Sequence, residues 1–223
     1  MGDLVYNQND ILLLGSGGHA KVIIDAIKIS YPEYRIIGLT DVIEERLGKE
    51  VLGIPILGTD IILDKLYKQG LRKVFIAVGM TKVSFCRLDT YNHLVSTGFE
   101  LVNIIHKKSI ISDMVTIGCG NAILAGVIIN ADALIGNACI INTGSIIEHD
   151  CIIGNNVHVA PGAKLSGNAI IKDNSIIGIG ASVIQGVQIG KNCIIGAGSA
   201  VISNIPDNST AVGVPAKVIK RGC

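Results

Sequence analysis

Residues 111–201 read ISDMVTIGCGNAILAGVIINADALIGNACIINTGSIIEHDCIIGNNVHVAPGAKLSGNAIIKDNSIIGIGASVIQGVQIGKNCIIGAGSAV, and every sixth residue of this stretch is Ile, Leu or Val. The series runs Ile111, Ile117, Ile123, Ile129, Ile135, Ile141, Ile147, Ile153, Val159, Leu165, Ile171, Ile177, Val183, Ile189, Ile195 and Val201, with no polar intruder and no insertion that shifts the phase. Four residues after each aliphatic comes a small residue, among them Val115, Ala133, Cys139, Ser145, Cys151, Ala163 and Ser199, with Asn121 the exception. An internal repeat of this fixed period reads as a parallel β-helix. Three hexapeptides close one triangular coil, so residues 18 apart stack at a strand spacing of about 4.8 Å. The aliphatics then point inward, and the small residues permit tight corners.

Outward from the repeat, the pattern changes near residue 105. Asp10–Leu14 (DILLL) suits a short buried strand, Gly15-Ser16-Gly17-Gly18-His19-Ala20 a glycine turn, and KVIIDAIKI a helix with apolar residues at helical spacing. A second strand is expected from Tyr34 to Leu39, ending at Thr40-Asp41, and a third from Lys73 to Val78, ending at Gly79. Helices are expected from a cap at Thr59 or Asp60 through Tyr67, and from Lys82 to Ser96. Strands alternating with helices imply a parallel α/β sheet. The 223-residue chain thus divides into a Rossmann-like domain, 1–105, and a β-helix domain with a C-terminal tail, 106–223.

The glycine turn fits G-x-G-x-x-A, with Asp41 about twenty residues on as a ribose partner. Amides at the start of a helix attract a phosphate, and glycines let it come close. An ordinary tight βα turn gives the same string. A domain of about a hundred residues holds one mononucleotide half of a Rossmann fold, which favours a nucleotide attached to something small over a dinucleotide. His19 stands where a bound phosphate or sugar would lie, and equally where an imidazole could cap the turn.

Composition narrows the partners. A net charge of +1 with mixed signs argues against nucleic acid. No apolar run approaches the roughly 18 residues needed to span a bilayer. The first ten residues, MGDLVYNQND, lack a signal-peptide pattern and read as a short extension. Cys139, Cys151 and Cys193 take the small slot of the repeat, Cys86, Cys119 and Cys223 are scattered, and there is no CxxC pair, so reduced thiols in the cytoplasm are expected.

On the coils, chemistry is carried by whatever breaks the polar background. His149 lies in Glu148-His149-Asp150, in a column with Ala131, Gly167 and Gln185. Asp150 can orient the imidazole as a base, and Gly167 is expected to leave an open groove beside it. Glu148 takes a slot where a turn role is the default. His158 comes nine residues later, half a coil away, so the two imidazoles emerge on different sides of the prism and meet only across the interface of a cyclic oligomer. Gly213-Val214-Pro215-Ala216-Lys217, with Lys220 and Arg221, is either a phosphate contact or a solvated end.

Together GSGGHAKVIIDAI, the uninterrupted array, IIEHDCIIG with HVAPGAKLSGN, and VGVPAKVIK resemble the bacterial hexapeptide-repeat sugar acyltransferases, which include nucleotide-linked 4-amino-sugar N-acetyltransferases and sialic acid O-acetyltransferases. The resemblance covers nearly the whole chain. It implies a homotrimer of left-handed parallel β-helices, acetyl-CoA as co-substrate in the groove between adjacent helices, and a nucleotide sugar held by the N-terminal domain. By position it implies His149 as general base, Asp150 as its orienting acid and Asn142 as a polar group near the acceptor. Gly17, Gly18, His19, Asp41 and Gly79 match substrate-binding positions, and His158, Gly167, Ile179 and Ala197 match positions lining CoA. Two departures are a single acid at Thr40-Asp41, where some relatives have two, and Ala197 in place of a glycine. The implied reaction is direct acetyl transfer to an amine in a ternary complex, for cell-surface glycan biosynthesis; a hydroxyl acceptor remains open.

Three rivals carry less. A zinc enzyme on this scaffold needs three converging histidines, whereas only His149 and His158 lie in the coils, with His106 just before them, so no metal is expected. A non-catalytic nucleotide-sugar-binding trimer leaves the His149-Asp150 pair unexplained, and an NAD oxidoreductase leaves the β-helix without a purpose.

Overall fold

The computed structural model describes residues 6–222. Residues 1–5 of the expected N-terminal extension and Cys223 lie outside the described residues. The chain forms two compact units, the first made of residues up to Gly79 with Cys86–Ile104, the second of Met80–Phe85 and the chain from Ile105 onward.

In the first unit, β1 (Asp10–Leu14) leads through the glycine turn into α1 (Gly18–Ser30) and then β2 (Arg35–Thr40). A hairpin that the sequence pattern had not suggested follows, β3 (Glu50–Val51) and β4 (Ile54–Gly58), turning at Leu52 and Gly53, both with positive φ. Next come α2 (Leu63–Lys68), β5 (Lys73–Ile76), α3 (Cys86–Thr97) and β6 (Glu100–Leu101). The sheet order is β3-β4-β2-β1-β5-β6, parallel except that β3 pairs antiparallel with β4. β1 is central and wholly buried, as its unbroken apolar run requires. Its one acid, Asp10, is fully buried and answered by Arg35 through two hydrogen bonds of 2.6 and 2.7 Å.

Several boundaries move. Neither Thr59 nor Asp60 caps α2 with a side chain. Residues 60–62 instead form a 3-10 turn, and Asp60 accepts a hydrogen bond from Thr40 Oγ1. The third strand stops at Ile76, and the helix expected from Lys82 begins at Cys86, because Met80–Phe85 pack with the second unit.

The second unit is a parallel β-helix of two-residue strands. Residues 18 apart pair: Ile128 with Ile146, Ile146 with Lys164, Lys164 with Ser182, and likewise in the other two sheets. From Ile123 to Val201 the repeat aliphatics are no more than 3% exposed, each stabilising by about 1.5–3 kcal/mol before entropy is charged against it. The expected cause of the corners needs correction. The small residues in the fourth slot are buried beneath the corners, and the turn is made one residue earlier, where φ is positive at Asp132, Gly144, Asp150, Asn156, Gly162, Asn168 and the equivalent positions from Gly120 to Gly198. Asn and Asp tolerate that conformation best after Gly. Ala138 occupies it with no feature that explains the choice.

One corner is further held by a ladder in which Asn156 donates to Asn174, Asn174 to Asn192, and Asn192 to Asn208. Asn121, the exception among the small residues, is fully buried. It donates to Gly136 O and accepts from Cys139 N, so its amide substitutes for a backbone bond to the next coil. The tail does not simply leave the prism. It adds a shortened coil of 16 residues, pairing Ile189 with Ile205 and Ile194 with Thr210, and then folds back as an antiparallel strand, Lys217–Arg221.

Candidate active site

The first unit gathers its polar groups at the carboxyl ends of β1 and β2. Gly15 is required there: its φ is +104°, and a Cβ would lie 2.7 Å from Val78 Cγ2. Gly17 and Gly18 are different, since a Cβ on either would meet nothing within 4 Å. Gly17 is the N-cap of α1, a position that favours glycine over alanine, and the open space over both glycines leaves room for close approach by a ligand.

Asp41 is 7% exposed and already engaged. Its Oδ2 accepts from Ser16 N–H, Ser16 Oγ–H and Arg46, and its Oδ1 from Ile43 N–H. Burial alone would raise its pKa, but these donors outweigh it and hold the carboxyl below the usual carboxylate range. Asp41 therefore fastens β2 to the glycine turn. Beside the turn lies a cavity of about 290 Å³ lined by Lys21, Arg46, Lys49 and Glu50, with Val51 and Ile56 as its apolar wall. α1 brings no acid in its first turn to compete for an anion. Gly79 follows β5 and lies against His19, 3.4 Å from its Cβ as a Cβ would be placed.

In the second unit His149 is half exposed at a corner, and its Nδ1 lies 2.7 Å from Asp150 Oδ2. A carboxylate only accepts, so Nδ1 carries a proton, and in the neutral ring it is Nε2 that presents the lone pair. Asp150 owes its place to the backbone, because it fills a left-handed corner position with φ +59°. The open groove expected over Gly167 is in fact filled by the imidazole, and a Cβ on Gly167 would come within 2.5 Å of His149 Cε1 and 2.6 Å of Nε2. Gly167 is the floor on which the His149 ring rests. Glu148, assigned a turn role, instead accepts from Asn130 at 2.8 Å and lines a shallow groove of about 360 Å³ with Lys164, Ser166 and Ser182.

Asn142 lies next to His158. Its Nδ2 is 3.1 Å from His158 Nε2, and His158 Nδ1 is 2.7 Å from Met80 O. His158 belongs to the sheet that carries strands 140–141 and 176–177, whereas His149 stands in the turn between strands 146–147 and 152–153. Ile179 and Ala197 are exposed in one column, each followed by a corner glycine, Gly180 and Gly198. Cys139, Cys151 and Cys193 are buried and donate to carbonyls of the next coil, and burial pushes the Cys151 thiol up. None is poised as a nucleophile. Among the described residues no three His, Cys, Asp or Glu side chains converge to hold a metal, and no helix is long and apolar enough to cross a membrane.

Residues 10–84 match the PglD N-terminal domain, and residues 132–167 and 168–203 match the bacterial transferase hexapeptide model of six repeats. PerB from Caulobacter crescentus, solved in complex with CoA and GDP-perosamine, is 37% identical over 96% of this chain and 99% of its own, with a TM-score of 0.88. This chain belongs to the bacterial hexapeptide-repeat sugar acetyltransferases. The acetyltransferase domain of PglB from Neisseria gonorrhoeae, in complex with acetyl coenzyme A, aligns with it at 31% identity, 96% and 100% coverage and TM-score 0.87. WeeI from Acinetobacter baumannii aligns at 28%, 94% and 99%, with TM-score 0.84. A sequence search of curated proteins finds no match.

Sequence reasoning missed three cations of this acetyltransferase, Lys21, Arg46 and Lys49, because they belong to different elements and meet only once the hairpin folds over α1. It also missed Arg87, a buried guanidinium that donates to the carbonyls of Ile76 and Val78 and so holds the end of β5 next to Gly79. No periodicity marks such a residue in advance.

Proposed function

We propose that this acetyltransferase moves the acetyl group of acetyl-CoA to the amine of a nucleotide-linked 4-amino-4,6-dideoxy sugar in cytoplasmic glycan precursor synthesis. The first unit recognises the nucleotide through the glycine turn at Gly17 and Gly18, His19 and Gly79, with Asp41 holding β2 to that turn and Lys21, Arg46 and Lys49 supplying charge for the diphosphate. The second unit carries the chemistry. The neutral amine attacks the thioester carbonyl carbon, the C–S bond breaks, and the proton shed by nitrogen passes to His149 Nε2 and from there to the departing thiolate. Asp150 stabilises the imidazolium that forms in between.

The observation that carries this reading is the 2.7 Å bond between His149 Nδ1 and Asp150, which leaves Nε2 as the available base at an exposed corner. The complexes of PerB with CoA and GDP-perosamine, one of them with a histidine replaced by alanine, support the same substrate class. Because His149 and His158 stand on different faces of one prism, a homotrimer that sets one chain's corner beside a neighbour's sheet is the proposed working state, with Ile179 and Ala197 along the CoA groove. The decisive experiment is thiol release from acetyl-CoA with a panel of UDP-, GDP- and dTDP-4-amino sugars, in the wild type and His149→Ala. Turnover of His149→Ala near the wild-type rate at saturating substrates rejects the assignment.

A further inference from the structure

Asn142 and His158 form a connected set whose proton positions are determined by its neighbours. Thr143 N–H donates to Asn142 Oδ1 at 2.8 Å, which turns the amide so that Nδ2 faces His158. An amide nitrogen only donates, so His158 Nε2 accepts and is unprotonated. Met80 O only accepts, so His158 Nδ1 carries the hydrogen. The ring is therefore neutral, and both its nitrogens are engaged. Its partner Met80 is 5% exposed and opens the six-residue segment Met80–Phe85, which packs with the β-helix although Gly79 before it and Cys86 after it belong to the first unit. At the other end of Gly79, Arg87 secures the carbonyls of Ile76 and Val78.

From this geometry we infer that Asn142 and His158 are positioning residues for the acceptor substrate: they lash the 80–85 segment to the β-helix and so restrain the backbone that continues from Gly79. The inference rests on the acetyl-transfer reading above, in which Gly79 belongs to the nucleotide-sugar site, and it shifts the work of His158 away from contact with CoA. His158 is half buried between Ile140 and Ile176, so a phenylalanine there keeps the packing while losing both hydrogen bonds. Losing two such bonds is expected to raise KM for the amino sugar roughly tenfold.

The test compares wild type, His158→Phe, Asn142→Ala and Asn142→Asp. It measures KM for both substrates by thiol release, and hydrogen exchange of residues 80–85 in the free protein. The expected result is faster exchange across 80–85 in His158→Phe and, less strongly, in Asn142→Ala, with KM rising for the amino sugar and unchanged for acetyl-CoA. Asn142→Asp retains a partner for His158 Nε2 in its protonated form and is expected to preserve protection. Unchanged exchange in His158→Phe, or a rise in KM for acetyl-CoA alone, overturns the inference while leaving acetyl transfer intact. Wild type inactive on every amino sugar overturns the acetyl-transfer reading instead, and the exchange data still decide whether the segment is lashed. Should His158→Phe fail to fold, Asn142→Ala, at a half-buried position beside an exposed corner, decides in its place.

Discussion

Replacing Gly167 by alanine tests the proposed role of His149 more cleanly than removing the imidazole, because it moves the ring and leaves the scaffold in place. The new methyl carbon would lie 2.5 Å from His149 Cε1 and 2.6 Å from Nε2, and the other close approach is to Nδ1 of the same ring at 3.2 Å. Carbon contacts settle at roughly 3.5 Å or more, so the ring must retreat by about 1 Å. It is free to do so because His149 is half exposed. Gly167 is outside the left-handed region, so alanine brings no backbone strain. A Gly→Ala change at a compatible position stabilises by about 0.4–1 kcal/mol through the unfolded chain, which offsets the loss of an exposed ion-pair hydrogen bond worth under about 1 kcal/mol. Thermal unfolding should therefore stay near that of the wild type. The reacting geometry should not, since a misplacement of about 1 Å costs on the order of a hundredfold in rate. Thiol release at saturating acetyl-CoA and amino sugar, with unfolding followed in parallel, provides the test. Wild-type kcat in Gly167→Ala refutes the view that the imidazole works from its seat on Gly167, and a large fall in Tm refutes the view that only the ring must move.

Three further perturbations follow from the same contacts. Asp150→Gly preserves the left-handed corner and should lower kcat with little change in Tm, whereas Asp150→Ala should lose the same activity and also about 1 kcal/mol of stability from its strained φ, a difference visible in paired activity and unfolding measurements. The carboxyls of Asp10, held down chiefly by Arg35, and of Asp41 are both shifted below 3.8, so the unfolded chain takes up protons first as the pH falls. Their contribution is complete above that value and is lost as the pH drops through the lower folded-state values. Tyrosine fluorescence reports this loss selectively, because Tyr6, Tyr31, Tyr34, Tyr67 and Tyr91 all lie in the first unit, and Asp10→Asn should weaken the dependence. Arg87→Met leaves two carbonyls without their donor and should cost about 1–3 kcal/mol by denaturant unfolding, with a silent result arguing that water replaces the guanidinium.

The coil was legible in the sequence because a β-helix is nearly one-dimensional: each residue's environment is decided by its phase in the repeat, and phase is visible in a string of letters. That is why Ile111 to Val201 announced the core and the pairing at 18 residues, and why His149 and Gly167 could be put in one column. β1 and the glycine turn were legible for a related reason, since an unbroken apolar run followed by glycines has few other uses.

What only the tertiary structure decided depends on side-chain direction and on contacts between distant segments. Phase put Gly167 beside His149 but not the ring on top of it, and it gave no warning that Asn142 would turn to His158 instead. Asp41 looked available for a ligand in the sequence, yet folding surrounds it with donors from Ser16, Ile43 and Arg46. The cations of the first-unit cavity and the anchoring of Met80 by His158 join residues up to 78 positions apart, and no local pattern encodes a hydrogen bond across that distance.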